Sequence, residues 1–348
     1  MGLFKKSMKL KASPAVSETL NELCEGLKKT DHFLLASHVN PEGDAIGSML
    51  ALESLLRRLG KKTLVACEDP FPERLRCLPS DRWNQAKDIP PGQKFGGLVV
   101  TDCPTLDRIG SVTRLLSPET RIFNVDHHVT NTHFGHYNYI QPTASASGEV
   151  VYEIFKWFKM KITPEDATNL YVAISTDTGS FKYSNTTVHS HRVAAELIQT
   201  GIDIEKINDS LYATYSLEKI QLYSILLGKV QTSSDQAVAW VGLTCEDLAR
   251  TGATYEDAEG FIDFLKYLKE VQFAFFMSEM NGALKGQVKV SFRSKGDYDV
   301  AQVASKFGGG GHKKAAGCTI HGTLEQATKQ ILEQIAFARE TQGSRSKR

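Results

Sequence analysis

The chain has 348 residues, enough for two domains of ordinary size, each with its own core. Its 41 Lys and Arg balance 40 Asp and Glu, so the net charge of +1 excludes a general pull toward nucleic acid or membrane and makes any polyanion binding local. The six cysteines, Cys24, Cys67, Cys77, Cys103, Cys245 and Cys318, form no C-x-x-C pair, which speaks against a zinc ribbon or a disulfide framework and fits a reducing, cytoplasmic setting.

No stretch approaches the roughly 18 uninterrupted apolar residues of a membrane span. The start, Met1-Gly-Leu-Phe-Lys-Lys-Ser7, has no apolar signal-peptide core, and Lys6 stands where a myristoylation signal needs Ser or Thr. A membrane is therefore not an expected partner. The basic tail Ser344-Arg-Ser-Lys-Arg348 reads as a disordered end.

Ser13-Pro14 predicts a helix start, with Val16, Leu20, Leu23 and Leu27 along one face. A strand at about 33–37, a helix at about 43–59 stopped by Gly60, and a strand at about 62–67 follow. Pro70, Pro72, Pro79, Pro90 and Pro91 break up the next stretch. Apolar runs at 97–101 and 122–125 predict two more strands, and helical spacing dominates from about 147 to 227. This alternation predicts an α/β fold, a mostly parallel sheet flanked by helices over residues 15–200. Residues 201–228 read as a helical connector, with Leu217, Ile220, Leu222, Ile225 and Leu226 on a helix. A smaller α+β domain is expected over 229–340. Its strands fall near 229–232 and 236–243, and an aromatic-rich helix lies around 256–269. Two long strands near 271–280 and 284–293 are joined by an Asn281-Gly282 hairpin turn. A helix near 298–306, a glycine run and a last helix near 323–340 complete it.

Chemistry collects where the apolar runs end. The first exits into His38-Val-Asn-Pro-Glu42-Gly-Asp44, the run ending at Thr101 into Asp102, and Arg121-Ile-Phe-Asn-Val125 into Asp126-His127-His128. In a parallel sheet, residues just past the carboxyl ends of strands share one crevice. Asp177 follows the apolar segment 170–174 and sits in Thr176-Asp-Thr-Gly-Ser-Phe181. The candidate metal ligands are His38, Glu42, Asp44, Asp102, His127 and Asp177. Two nitrogens and four carboxylates suit a divalent ion, Mn²⁺ most naturally, with Mg²⁺, Fe²⁺ or Co²⁺ also compatible. Four crowded carboxylates need neutralising cations, and six ligands exceed what one open site requires, so two ions are the economical reading. A pair about 3.5–4 Å apart is the usual device for phosphate-ester hydrolysis.

In the second domain, Gly308-Gly-Gly-Gly-His-Lys-Lys-Ala-Ala-Gly317 offers main-chain N–H groups to an anion, without the Gly-Lys-Ser/Thr of a Walker loop. Ser291-Phe-Arg-Ser294 ends a strand, and Arg293 supplies a fork for phosphate.

His38-x-x-x-Glu42-x-Asp44, Asp102, Asp126-His127-His128 and Asp177 together resemble the ordered motifs of the DHH phosphoesterase superfamily. The resemblance implies that the six candidates above are metal ligands, that Asp102 bridges both ions, that His128 faces the scissile phosphate, and that Asp126 orients a histidine. Glu42 departs from it, because the family usually has Asp-Gly-Asp there, and the extra methylene puts the ion preference at that position in doubt. Arg293-Ser294 with the glycine run and His312 is similar to the DHH-associated C-terminal domain. Over about residues 15–340 the architecture resembles bacterial oligoribonucleases that also act as 3′-phosphoadenosine 5′-phosphate phosphatases. By that likeness Arg293, Ser294, Gly309, Gly310 and His312 contact substrate. The metals hydrolyse the ester in the cleft between domains, through a hydroxide activated by the two ions. His128 and Arg293 bind non-bridging oxygens, with His128 or a metal water protonating the leaving oxygen. Short single-stranded RNA or dinucleotide and 3′-phosphoadenosine 5′-phosphate are the implied substrates, and a homodimer stays open. Alternatives are a phosphodiesterase for cyclic dinucleotides or their linear products, a manganese pyrophosphatase, a processive single-strand exonuclease, and a nucleotide-binding regulator that no longer hydrolyses.

Overall fold

The computed structural model of the protein describes residues 14–90, 92–212, 215–296 and 298–343; Ser13, the N-terminal residues 1–7 and the basic tail 344–348 fall outside these. The chain divides into two compact units, Met1–Thr214 and Tyr215–Arg348.

The first unit runs α1 (Pro14–Lys29), β1 (His32–Ala36), α2 (Gly43–Arg58), β2 (Lys62–Cys67), β3 (Trp83–Gln85), β4 (Gly97–Thr101), β5 (Arg121–Asp126), β6 (Tyr137–Ile140), α3 (Ser147–Trp157), α4 (Pro164–Asp177), α5 (Val188–Ile198) and α6 (Ile204–Tyr212). Its six strands form one parallel sheet in the order β3-β2-β1-β4-β5-β6. Successive side chains of a strand point to opposite faces, so β1 sends Phe33 and Leu35 to one core and Leu34 and Ala36 to another. The first core is closed by Leu23 and Leu27 of α1, Ile46 and Leu50 of α2, Val151 and Phe155 of α3 and Leu170 and Ile174 of α4. The second is closed by irregular chain, with Ile109, Val112 and Leu115 of the 3-10 segment Leu106–Leu115 and Phe95.

Two features of this unit place the ligands. After β1 the chain passes through α2 to β2 on one side, whereas β4 pairs on the other side, so the strand order reverses between β1 and β4. Open α/β sheets bind ligands at such a switch point. Glycines on α2 also admit α4 closely: a Cβ on Gly47 would stand 2.3 Å from the Asn169 carbonyl oxygen, and one on Gly43 would stand 2.5 Å from the Thr176 side chain. Close approach of this kind needs hydrogen in place of a side chain. It brings the end of α4, and Asp177 with it, to the strand ends.

The second unit contains α7 (Leu217–Gly228), β7 (Gln231–Thr232), β8 (Val238–Leu243), α8 (Cys245–Thr251), α9 (Phe261–Tyr267), β9 (Phe273–Glu279), β10 (Gln287–Ser294), α10 (Val300–Ser305), β11 (Gly310–His312), β12 (Ala315–His321) and α11 (Leu324–Gly343). Its sheet has the order β11-β12-β10-β9-β8-β7 and is antiparallel except where β8 pairs with β9. Phe273, Phe275, Val290 and Phe292 pack on one face with Val303 of α10 and Ile331 and Ile335 of α11. On the other, Ala274, Phe276, Ala239 and Val241 pack with Leu222 and Leu226 of α7 and Phe261 and Leu265 of α9. This second cover reaches β10 only in part, through Asp263 of α9 beside Arg293, and the rest of the β10-β12-β11 face is open: Lys289 and Thr319 are exposed, and Ser291, Arg293 and Gly317 are half-buried.

Asn281-Gly282 lies, as expected, in the hairpin that joins the antiparallel pair β9 and β10. The connection holds a 3-10 turn, Gly282–Leu284, and is closed by the Met280 N–H donating to Gln287 O at 3.0 Å. Gly282 does adopt positive φ, +59°, but Asn281 at −112° is extended, so the two do not form a type I′ pair. Among the described residues, no helix is long and apolar enough to cross a membrane.

Candidate active site

Sheet register puts Ala36, Val100 and Asn124 in one row, and two residues further along stand His38, Asp102 and Asp126. Asp102 leaves its strand in the left-handed region, φ +55°, a rare conformation for a residue other than glycine. Its N–H still donates to Val125 O at 3.0 Å, so the sheet pattern continues as the chain turns. Glu42 is the N-cap residue of α2 and Asp44 lies in that helix's first turn; His127 and His128 follow β5, and Asp177 is the last residue of α4. Residues from five separate elements thus converge, β1, α2, β4, β5 and α4.

His38 Nε2 lies 3.1 Å from Glu42 Oε1 and 3.7 Å from Asp102 Oδ2. His127 Nε2 lies 3.5 Å from Asp102 Oδ1, 3.8 Å from Asp44 Oδ2 and 3.7 Å from Asp177 Oδ2. Two groups could each hold a metal ion, His38 with Glu42 and Asp102, and Asp44 with His127 and Asp177; Asp102 also forms a third group with His127 and His128. All six sequence candidates fall in the first two groups. Glu42, at 43 % side-chain exposure, reaches its group despite the longer side chain.

The donor set fits a metal in a further way. His38 Nδ1 faces Val39 O at 2.8 Å and His127 Nδ1 faces Ala144 O at 3.2 Å. A carbonyl only accepts, so each Nδ1 carries a proton, and Nε2 is the atom that each ring presents to the acids. His128 is different: its Nδ1 lies 2.7 Å from Asp126 Oδ1, which also accepts the His127 N–H at 2.8 Å, while Asn131 Nδ2 donates to Asp126 Oδ2 at 2.5 Å. Asp126 is therefore spent on orienting its neighbours, and Nε2 of His128 is left for a ligand.

Electrostatics point the same way. Burial, then the Asp102 and Asp177 carboxylates, raise Asp44 well above the usual carboxylate range. Burial also pushes Asp177 up to about 6, against the pull of His127 and with the Asp102 and Glu42 charges adding to it. Burial would raise Asp102 too, but the His38 contact and the charges of His127 and His128 hold it low. For His38, burial opposes the charged ring, yet Asp102 and Glu42 lift it to about 10. The Asp126 bond raises His128. Acids this crowded are what a divalent cation neutralises.

Sequence reading missed the residues that hold the acids. Ser147 donates its N–H to Asp44 Oδ2 at 2.7 Å and its hydroxyl to Asp102 Oδ1 at 2.9 Å, and the Gly148 N–H donates to Asp44 Oδ1 at 2.9 Å. Asn185 Nδ2 donates to Asp177 O at 3.1 Å. A signal existed in Ser145-Ala-Ser-Gly-Glu149, small polar residues opening a helix, whose free N–H groups receive an anion.

In the second unit, Lys289, Ser291 and Arg293 line a pocket of about 450 Å³ with Tyr255, Glu259, Gly260 and Phe276. Arg293 Nε lies 3.8 Å from Asp263 Oδ1. Register sets Ser291 beside Gly317 and Gly310, and Arg293 beside Ala315 and residue 312, so glycine and alanine continue the open face next to the pocket. Ser294 is buried and donates to Tyr298 O at 2.8 Å, away from the pocket's walls. Gly309 packs on β12, where a Cβ would meet Gly317 O at 2.1 Å, and Gly310 faces open space. The His312 side chain lies outside what the structure describes.

Comparison with known proteins agrees with this geometry. Residues 32–174 match the DHH family, N-terminal domain, and residues 237–337 match the DHHA1 domain. The bifunctional oligoribonuclease and PAP phosphatase NrnA of Thermus thermophilus is 33 % identical over 327 residues, 92 % of this chain and 95 % of that protein. The chain belongs to the DHH phosphoesterase family. The protein of the same description from Bacillus subtilis shares 27 % identity over 86 % of this DHH chain and 93 % of its own. Among solved structures, an exopolyphosphatase-related protein from Bacteroides fragilis superposes with a TM-score of 0.83 at 26 % identity, covering 93 % of this chain and 97 % of that one. Every ligand candidate except Asp177 lies within the matched DHH segment, and Asp177 follows it by three residues.

Proposed function

We propose that this protein is a metal-dependent phosphoesterase that hydrolyses short oligoribonucleotides to mononucleotides and 3′-phosphoadenosine 5′-phosphate to AMP. The observation that carries the reading is the pair of three-ligand groups meeting at Asp102. The substrates are those in the names of the Thermus and Bacillus relatives, which match this chain almost end to end.

His38, Glu42 and Asp102 would hold one divalent ion and Asp44, His127 and Asp177 a second, with Asp102 shared, and Mn²⁺ suits this mixed set of nitrogen and carboxylate ligands. When bound, the ions supply Lewis-acid stabilisation of phosphoryl charge and lower the pKa of water. His128 works beside them. With Nδ1 fixed by Asp126, Nε2 binds a non-bridging phosphate oxygen or passes a proton to the leaving oxygen. Arg293 offers a forked donor to a phosphate on the second unit's open face, and the small residues of β11 and β12 let a nucleoside lie flat there. Six cysteines without a disulfide agree with a cytoplasmic setting.

The test is a panel with purified, Mn²⁺-loaded protein against a short RNA, 3′-phosphoadenosine 5′-phosphate, a linear and a cyclic dinucleotide, and pyrophosphate. Mononucleotides from RNA and AMP from the bisphosphate are expected. Tight RNA binding without turnover, or phosphate released from pyrophosphate alone, overturns the reading.

A further inference from the structure

The ligands come from five elements, yet one short segment touches most of them. Ala144 O receives His127 Nδ1 at 3.2 Å, and Ser145 O receives Asn185 Nδ2 at 3.0 Å, the amide that also donates to Asp177. Ser147 and Gly148 supply three donors to Asp44 and Asp102. Segment 144–148 therefore contacts Asp44, Asp102 and His127 directly and Asp177 through one amide.

What fixes the segment is a buried acid that the hydrolytic scheme does not use. Glu149, 2 % exposed, accepts the Ser145 hydroxyl at 2.6 Å and the Ser145 N–H at 3.3 Å. The Ser145 hydroxyl oxygen in turn accepts Ser190 Oγ–H at 3.0 Å, at the start of α5. A buried carboxyl group is tolerated only where its hydrogen bonds are made, so the residue is expected where its geometry is needed. Ser147 shows the same economy: its N–H and its hydroxyl are spent on two carboxylates from two different elements.

We propose that segment 144–149 is the template that sets the ligand geometry, with Ser147 the positioning residue that ties Asp44 to Asp102 and Glu149 the residue that locks the segment. Neither touches substrate. Both act through the acids, as outer hydrogen-bond partners of metal ligands do, and losing such partners costs roughly 10–100-fold in metal affinity or activity. The inference rests on the metal-dependent reading above but does not depend on which ester is cleaved.

The experiment compares wild type with Ser147→Ala and Glu149→Gln by Mn²⁺ titration, reading free Mn²⁺ by electron paramagnetic resonance, alongside circular dichroism and kinetics on a short RNA. Ser147→Ala keeps the N–H to Asp44 and removes only the bond to Asp102. Glu149→Gln presents an amide donor or a weaker acceptor to Ser145. Each is expected to raise the Mn²⁺ dissociation constant about tenfold or more and to lower kcat at little-changed KM, with the folded spectrum retained. Mn²⁺ affinity within twofold of wild type in both variants overturns the proposal. Loss of the folded spectrum in Ser147→Ala overturns it as well, because the hydroxyl is then structural. If wild-type protein binds Mn²⁺ but cleaves no RNA, the substrate reading fails, while the affinity comparison still decides this one.

Discussion

His127 Nε2 stands 3.5 Å from Asp102 Oδ1, and through that contact the two ligand groups become one site. Asp102 is also 3.7 Å from His38, so one buried carboxylate at the end of β4 belongs to the His38 group and borders the His127 group. Glu42 serves one only. Asp102→Ala is therefore expected to lose Mn²⁺ from both positions, and Glu42→Ala from one, with the larger fall in kcat for Asp102→Ala exceeding the roughly 10–100-fold of an outer partner. Bound metal per chain, measured by electron paramagnetic resonance, separates the two; equal stoichiometry in both variants contradicts the shared carboxylate.

Asp126 offers a different separation. It holds His128 at 2.7 Å and Asn131 at 2.5 Å and belongs to neither three-ligand group. Asp126→Asn exchanges one acceptor oxygen for a donor, so at least one of its bonds to His127, His128 and Asn131 is lost. Expected is a drop in kcat of about 10–100-fold with metal stoichiometry retained. A variant that instead loses metal places Asp126 among the ligands.

Gly47 tests how α4 reaches the site. A methyl at this position would lie 2.3 Å from the Asn169 carbonyl oxygen and 3.1 Å from Ala173 Cβ, and a backbone carbonyl inside a helix cannot swing aside. Gly47→Ala should destabilise the protein by about 1–3 kcal/mol, as overpacked cores do. Because α4 ends in Asp177, Mn²⁺ affinity should fall with it. A lowered melting temperature with unchanged affinity would show that Asp177 tolerates a displaced helix.

How far these features were legible in the sequence follows from their physics. The ligands could be found because a parallel sheet gathers strand ends, and the strands carrying them are continuous apolar runs such as Leu34-Leu35 and Val99-Val100. β3 and β6 escaped notice because Trp83–Gln85 and Tyr137–Ile140 are edge strands of three and four residues, too short to show a period. α8 was missed for the same reason, although Thr244 and Asp247 form a capping box at its start. Asn281-Gly282 marked the β9-β10 hairpin, but a dipeptide reports local preference only and does not fix the form of the loop, which the ladder sets and which here holds a 3-10 turn. Ser147 and Glu149 were hidden more deeply, since their meaning is a set of hydrogen bonds to residues 45 to 103 positions away or to a turn that looks ordinary in sequence.

A last prediction concerns acid stability in the second unit. Asp247, in the first turn of α8, lies 2.5 Å and 2.7 Å from Lys229 Nζ through its two oxygens and accepts the Thr244 N–H at 2.9 Å. Burial would raise its pKa, but the Lys229 and Thr244 bonds outweigh that and hold it below the ordinary aspartate value. A carboxylate with a depressed folded pKa contributes stability in full above its unfolded value, near 3.9, and loses it as pH falls through the folded value. Asp247→Asn should therefore cost about 1–2 kcal/mol near neutral pH, the scale of a lost cap and a charged hydrogen bond. The gap in melting temperature between wild type and variant should stay constant from pH 7 to about 5 and narrow below the unfolded value near 3.9. Thermal melts across that range check it, and a gap that widens on acidification would show that Asp247 is not held ionised by its partners.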